Sequence, residues 1–350
     1  MAVHPGTAYV DSLSRGLEGL GIEVERSALV FDRPDAFRDV VHVHWPEALC
    51  AWERPTLGRL RKISETLTRW RAQGAALVVT RHNARPHFYR DGVADELYQT
   101  FLERADGIIH LGNASRAALA GDTSCRQTVI PLGADPHVSL TGREEARSAM
   151  RIPTDAYVVL VFGAIRHFEE QRLTLDAVRS LRRRTRNVVL LAPRWVEATR
   201  PSWKSHPLQR MAAFLADRKA RRLLRVGGGF VEEHRVGWYF GAADIVFIPR
   251  IDVLNSDILP QAYAYERAVV GPRTGNLTEI LDKTGNFTYP PGDADAAARA
   301  LDAARGADLA ALGARNRSYA AEHWNWESVS RAHLGFYEQL AGGRSRGGGA

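Results

Sequence analysis

At 350 residues, with hydrophobic side chains at 45% and charged ones at 25%, the chain has ordinary globular composition and length enough for two cores. No apolar run reaches the roughly 20 residues that span a bilayer, and the opening MAVHPGTAYVDSL lacks the basic-then-apolar order of a secretion signal. A cytoplasmic protein is expected. The formal charge of +7 is carried mostly by arginine, in runs such as 182–184 and 217–225, and suits phosphorylated small molecules or weak peripheral contact with the inner membrane face. Nucleic acid is set aside, because zinc-finger spacing, RNP-like strands and basic-leucine patterns are missing. Cys50 and Cys125 stand far apart and outside any C-x-x-C arrangement, which argues against a disulfide framework and a thiolate metal site.

Helical and strand patterns alternate along the chain, the signature of βα units and largely parallel sheets. The spacing predicts a helix over 7–20, a strand over 40–44, a helix over 56–73 closed by Gly74, and a strand over 75–80. A helix over 92–104, a strand over 107–110, a helix over 114–120 and a strand over 127–130 follow. Residues 131–153 break the period with Pro, Gly and charge, and a fresh strand begins at 157–162. The scheme then repeats: a helix after Phe168, a strand over 188–191, a helix near 208–216, a strand over 223–226, a helix through Gly237 and a strand over 245–248. The division expected is a first domain over 1–145, a second over 146–322, a closing helix over 323–340 and a disordered Gly-rich tail over 341–350.

The chemistry concentrates in a few turns. Residues 245–281 (IVFIPRIDVLNSDILPQAYAYERAVVGPRTGNLTEIL) read as a buried strand, a polar turn with Asn255 and Ser256, a helix, a second short strand and a Gly-containing loop ending at Glu279. Strand, loop and helix in that order aim backbone N–H groups and a positive helix end outward, which suits a phosphate. At the end of the strand over 157–162, Gly163 lets a ligand approach the backbone and Arg166 can pair with a diphosphate. Gly227-Gly228-Gly229 follows another strand, where a flat base could lie on bare main chain or a tight turn could simply form. Trp195 and Trp203 lie in an insert just past a strand end, placed either to stack on a sugar or to anchor the loop.

In order, these segments resemble the GT-B glycosyltransferases, specifically glycosyltransferase family 4 and the exopolysaccharide-type sugar transferases, over nearly the whole chain. The G-x-I-R loop is matched by Gly163 to Arg166, the G-x-V turn by Gly229, Phe230 and Val231, and the a-a-D-v-v-v-P strand by 242–249. L-N-S-G is matched by Leu254, Asn255 and Ser256, and G-N-L-x-E by 275–279. In the first half, VHVHWPE at 41–47 and TRHNARPH at 80–87 resemble the family's acceptor-side turns, and HWNWE at 323–327 resembles the start of its closing helix.

The resemblance implies two Rossmann-like doubly wound domains facing a central cleft, with the last helix packing back on the first domain. It implies a hexosyltransferase-type enzyme of polysaccharide biosynthesis that takes a nucleoside diphosphate sugar as co-substrate, with no metal and no other cofactor. The acceptor is a hydroxyl on a glycan, a lipid-linked saccharide or a natural-product aglycone. Donor binding then falls to Gly163, Arg166, Arg172, Gly229, Phe230, Val231, Asn255, Ser256, Asp257, Gln261 and Glu279. His44, Trp45, Asn83 and Arg85 fall on the acceptor side. His82 and His87 become base or sugar contacts, with Asp91 and Glu47 as further candidate bases. From the residues alone, His82 and His87 fit caps or core positions equally well, and Pro86 between them opposes a helical metal pair. Three departures stand out: Glu169 and Glu170 where a lysine is expected, Asp257 where a glycine is expected, and Val253 with Gln261 in place of a glutamate pair. They leave a catalytically silent nucleotide-sugar-binding protein as the alternative.

Overall fold

The computed structural model describes residues 8–32, 38–86, 91–119, 125–135, 137–165, 167–195 and 231–345. Contacts divide the chain into two units, residues 1–133 with 323–350 and residues 134–322. The expected strand over 223–226 and helix near 208–216 lie outside the described residues.

The first unit opens with α1 (Ala8–Glu18) and carries β1 (Val40–Val43), α2 (Leu57–Ala72), β2 (Ala76–Arg81), α3 (Gly92–Arg104), β3 (Gly107–His110), α4 (Asn113–Ala117) and β4 (Arg126–Val129). Its strands pair in parallel in the order β1-β2-β3-β4. Because side chains alternate across a strand, Val41, Val43, Leu77 and Val79 join Ile63, Trp70 and Phe101 in one core on the α2 and α3 side. Ala76 and Val78 point the other way, into a second core with Leu13 and Leu17 of α1. Helix starts are fixed locally: Thr56 Oγ1 accepts from Arg59 N at 3.2 Å, and Asp91 Oδ1 accepts from Ala94 N at 3.1 Å.

The second unit contains α5 (Arg143–Ala149), β5 (Tyr157–Leu160), α6 (Phe168–Arg184), β6 (Val188–Leu191), α7 (Glu233–Ala242), β7 (Ile245–Phe247), α8 (Ile258–Ala264), β8 (Ala268–Pro272), α9 (Gly275–Lys283), β9 (Phe287–Tyr289), α10 (Ala294–Arg305) and α11 (Leu309–His323). Its parallel sheet runs β6-β5-β7-β8-β9. The strands are apolar on both faces, as a sheet covered by helices requires.

The boundary falls at 133, not at the expected 145, because α5 is anchored in the second unit. Arg147 is fully buried and donates to Ala242 O at 3.0 Å, Thr154 O at 2.8 Å and Asp244 Oδ2 at 2.7 Å. The last helix, α12 (Trp326–Ser345), counts with the first unit: Val329, Phe336, Tyr337 and Leu340 enter the α1 core. Gly107 permits this approach, since a Cβ there would sit 2.7 Å from both Phe336 and Leu340. The helix continues to Ser345, so residues 341–345 of the expected disordered tail are helical; 346–350 lie outside the described residues. Among the described residues no helix is long and apolar enough to cross a membrane.

Candidate functional site

In an open parallel sheet, ligands collect beyond the carboxyl ends of the strands where the strand order reverses. In the second unit that point lies between β5 and β7, which are direct neighbours although β6 intervenes in sequence. Gly163 follows β5 and Arg250 follows β7, and they meet: a Cβ on Gly163 would stand 3.1 Å from Arg250 Nη2. Arg250 donates through Nη2 to Ala164 O at 3.0 Å and through Nη1 to Glu170 Oε2 at 2.6 Å. Both charged side chains are buried, so this ion pair ties the Gly163 loop to the first turn of α6. Sequence reasoning had Glu170 only as a missing lysine and passed over Arg250 altogether.

The next two turns close the same edge. Leu254 and Asn255 follow β7, Gly275 and Asn276 follow β8, and the two motifs are bonded: Asn276 N donates to Leu254 O at 2.9 Å and Asn276 Nδ2 to Asn255 Oδ1 at 2.6 Å. Gly275 holds φ at +52°, and a Cβ there would fall 2.4 Å from Val253 O. The position therefore demands glycine on two counts. Residues 275–279 form the start of α9 rather than the loop expected, which puts Glu279 on an exposed helix face. Ser256 is buried, Asn255 and Gln261 are half-buried, and Asp257 is exposed at the start of α8. Arg172 is exposed on α6, and Val231 is half-buried just before α7. Arg166, Gly229 and Phe230 lie outside the described residues, as does Trp203. Trp195 is fully buried within the core of the second unit, which settles it as a loop anchor.

In the first unit, the carboxyl ends of β1 and β2 bring His44, Trp45, His82 and Asn83 together. The V-H-V-H alternation sends His42 and His44 to one face, opposite Thr80 and beside His82. His42 is buried between Tyr337 Oη at 2.6 Å and Thr80 Oγ1 at 2.7 Å. His44 Nδ1 lies 3.1 Å from His82 Nε2, while His44 Nε2 is buried without a hydrogen-bond partner. Trp45 stacks on the His82 ring with centroids 4.0 Å apart and planes at 23°, and Tyr9 meets His44 and His82 edge-on. Burial holds His42 and His44 well below the ordinary imidazole pKa, with the neighbouring histidines adding to it.

The candidate bases are differently placed. Glu47 is buried and accepts from Tyr98 Oη. Burial, and then the Glu47 charge, push the Tyr98 hydroxyl well up, and Asn83 bonds the same phenol. Asp91 caps α3 and accepts from Arg54 Nε at 2.8 Å. The Ala94 N–H bond, with Arg54 beside it, lowers its pKa, which moves it away from the range of a base. Arg85 is exposed, and His87 lies outside the described residues. Among the described residues no group of three His, Cys, Asp or Glu side chains could hold a metal ion.

No protein-family model matches the chain. It is 28% identical over 262 residues to a D-inositol 3-phosphate glycosyltransferase of Streptomyces griseus subsp. griseus, an alignment covering 70% of this chain and 53% of that protein. The chain thus spans about half the length of the curated relative it matches. Among solved structures it resembles the sucrose-phosphate synthase of Thermosynechococcus elongatus, with a TM-score of 0.68 and 17% identity over 96% of this chain and 80% of that one. Anabaena Alr3699/HepE in complex with UDP-glucose gives a TM-score of 0.69 at 14% identity, covering 97% of this chain and 91% of that one. With two parallel-sheet Rossmann-like units and a last helix that counts with the first, this chain has the fold of the GT-B glycosyltransferases.

Proposed function

We propose that the protein transfers a sugar from a nucleoside diphosphate sugar to a hydroxyl acceptor. The observation that carries this reading is the built edge of the second unit, where Gly163, Asn255 and Asn276 bring three loop turns to the switch point of a parallel sheet. Backbone N–H groups around Asn255 and Ser256, with Arg166, would stabilise the negative charge that grows on the departing diphosphate more than they stabilise the ground state. That charge stabilisation is assigned to the chain's own groups, without a metal or other cofactor. The donor role is supported by the likeness to a structure holding UDP-glucose and by the curated relative's name as a glycosyltransferase.

The first unit supplies the acceptor side, with His82, Trp45 and Asn83 facing the sugars. A glycan, a lipid-linked saccharide or an aglycone would serve as acceptor, in the cytoplasm or against the inner membrane face. The test is a panel of nucleoside diphosphate sugars scored both for thermal stabilisation and for sugar release or transfer. Stabilisation by one donor class together with turnover supports the reading, and a panel without effect on either readout rejects it.

A further inference from the structure

The pair His44 and His82 holds information that neither residue carries alone. One hydrogen bond joins Nδ1 of the first to Nε2 of the second at 3.1 Å. Each ring is almost fully buried, with 3% and 4% exposure, and burial keeps His44 neutral. A neutral imidazole has one N–H and one bare nitrogen, so the single shared bond leaves two arrangements. In one, His82 Nε2–H donates to His44 Nδ1, and the proton of His44 then sits on its own Nε2. That nitrogen is buried without a partner, so this arrangement buries an orphaned N–H donor, which native structures avoid most strictly. In the other, His44 Nδ1–H donates to His82 Nε2, and the partnerless nitrogen of His44 is only a bare acceptor.

We infer that His44 is a positioning residue that donates from Nδ1 to His82 Nε2 and so fixes His82 as its Nδ1–H tautomer, a hydrogen-bond donor toward a substrate oxygen and not a base. Its Nε2 lone pair is occupied by His44, and its Nδ1 already carries hydrogen, so neither nitrogen can take a proton from an acceptor hydroxyl. Trp45 stacked on the ring and Tyr9 against its edge hold the orientation. The substrate part of this inference rests on the proposed glycosyl transfer; the tautomer does not.

The test uses the full chain labelled with nitrogen-15 at histidine, with the His82 ring signals identified by their loss in His82→Gln. In the wild type, the His82 ring is expected to show a protonated Nδ1 and a bare, hydrogen-bonded Nε2. His44→Leu removes the donor, and His82 is expected to move toward the Nε2–H form. His44→Asn places an amide N–H near the position of Nδ1 and is expected to restore the Nδ1–H form. Transfer from the cognate donor should fall about three- to tenfold in His44→Leu, the effect of one neutral hydrogen bond, and recover in His44→Asn. An Nε2–H tautomer in the wild type overturns the inference, as does an unchanged Nδ1–H form in folded His44→Leu. Should that variant fail to fold, the wild-type and His44→Asn spectra decide. A wild type that shows the Nδ1–H form but turns over no donor counts against the proposed reaction alone.

Discussion

Asn276 reaches back across the end of the second sheet and binds Asn255 twice over, by Nδ2 to Oδ1 at 2.6 Å and by its own N–H to the neighbouring Leu254 carbonyl at 2.9 Å. Asn276 is buried, so these bonds are made away from competing water. The consequence is positional: the turn after β7, which carries Asn255 and Ser256, is held by the turn after β8. A donor-binding loop needs such support, because a loop alone loses its geometry to conformational entropy.

Asn276→Ala should therefore loosen the site more than it loosens the fold. The loss of one buried side-chain bond, with Asn255 Oδ1 left to find water, is expected to cost about 1–2 kcal/mol. Urea denaturation measures that cost, and calorimetric titration with the cognate nucleotide sugar measures the weaker binding. Unchanged donor affinity in a destabilised Asn276→Ala would show that the bond serves the core and not the loop.

The strands were legible because VVHV, ALVVTR and VVLL are short apolar runs bounded by turns, and the two-unit division followed from the break after β4. Asn255 and Gly275 were legible as motifs. Their union was not, since it is made by a bond between residues 21 positions apart that no periodicity encodes. Arg250 and Glu170 were missed for the same reason, being 80 positions apart. The start of α9 looked like a loop because glycine is a poor helix former; its φ of +52° and the contact with Val253 O explain why glycine stands there. In the first unit, the i, i+2 spacing of His42 and His44 was the available sign of a shared face, but their burial against α1 and α12 depends on residues nearly 300 positions away.

The Arg250 and Glu170 pair gives a sharper test of what holds the Gly163 loop. Removing one member of a buried ion pair leaves an uncompensated charge and typically costs about 3–5 kcal/mol, whereas replacing both by apolar groups of similar size can be nearly neutral. Glu170→Gln keeps a polar partner for the guanidinium and should cost less than Glu170→Leu. The double change Arg250→Met with Glu170→Leu should recover stability relative to either apolar single change, yet lose donor affinity because Ala164 O is no longer tethered. Additive losses in a double-mutant cycle would show that the pair is not coupled.

Asp257 puts a carboxylate at the exposed start of α8, in the turn that the proposed function assigns to the donor. If it recognises a sugar hydroxyl or an amino group, Asp257→Gly should slow transfer from the cognate donor about tenfold, the effect of a charged hydrogen bond, and narrow the gap between donors. Kinetics across the donor panel measure both. Tighter donor binding with faster turnover would show instead that the carboxylate only repels the diphosphate.

The buried histidines predict how stability depends on pH. His333 of α12 donates from Nδ1 to Val329 O at 2.8 Å, and burial lowers its pKa to about 4. His42 and His44 are likewise depressed, by burial first and by neighbouring histidines second. An unfolded histidine titrates near 6.5, so between about 6.5 and the depressed folded value the unfolded chain binds more protons. The stability contributed by the neutral rings is therefore complete above about pH 6.5 and is lost as the pH falls, for His333 through about 4. Each depressed histidine adds a slope of about 1.4 kcal/mol per pH unit within its window. Urea denaturation of the wild type and His333→Leu from neutral pH down to about 4.5 isolates one of them, the variant losing stability less steeply by that amount. Parallel curves for the two proteins would mean that His333 does not stay neutral in the folded state.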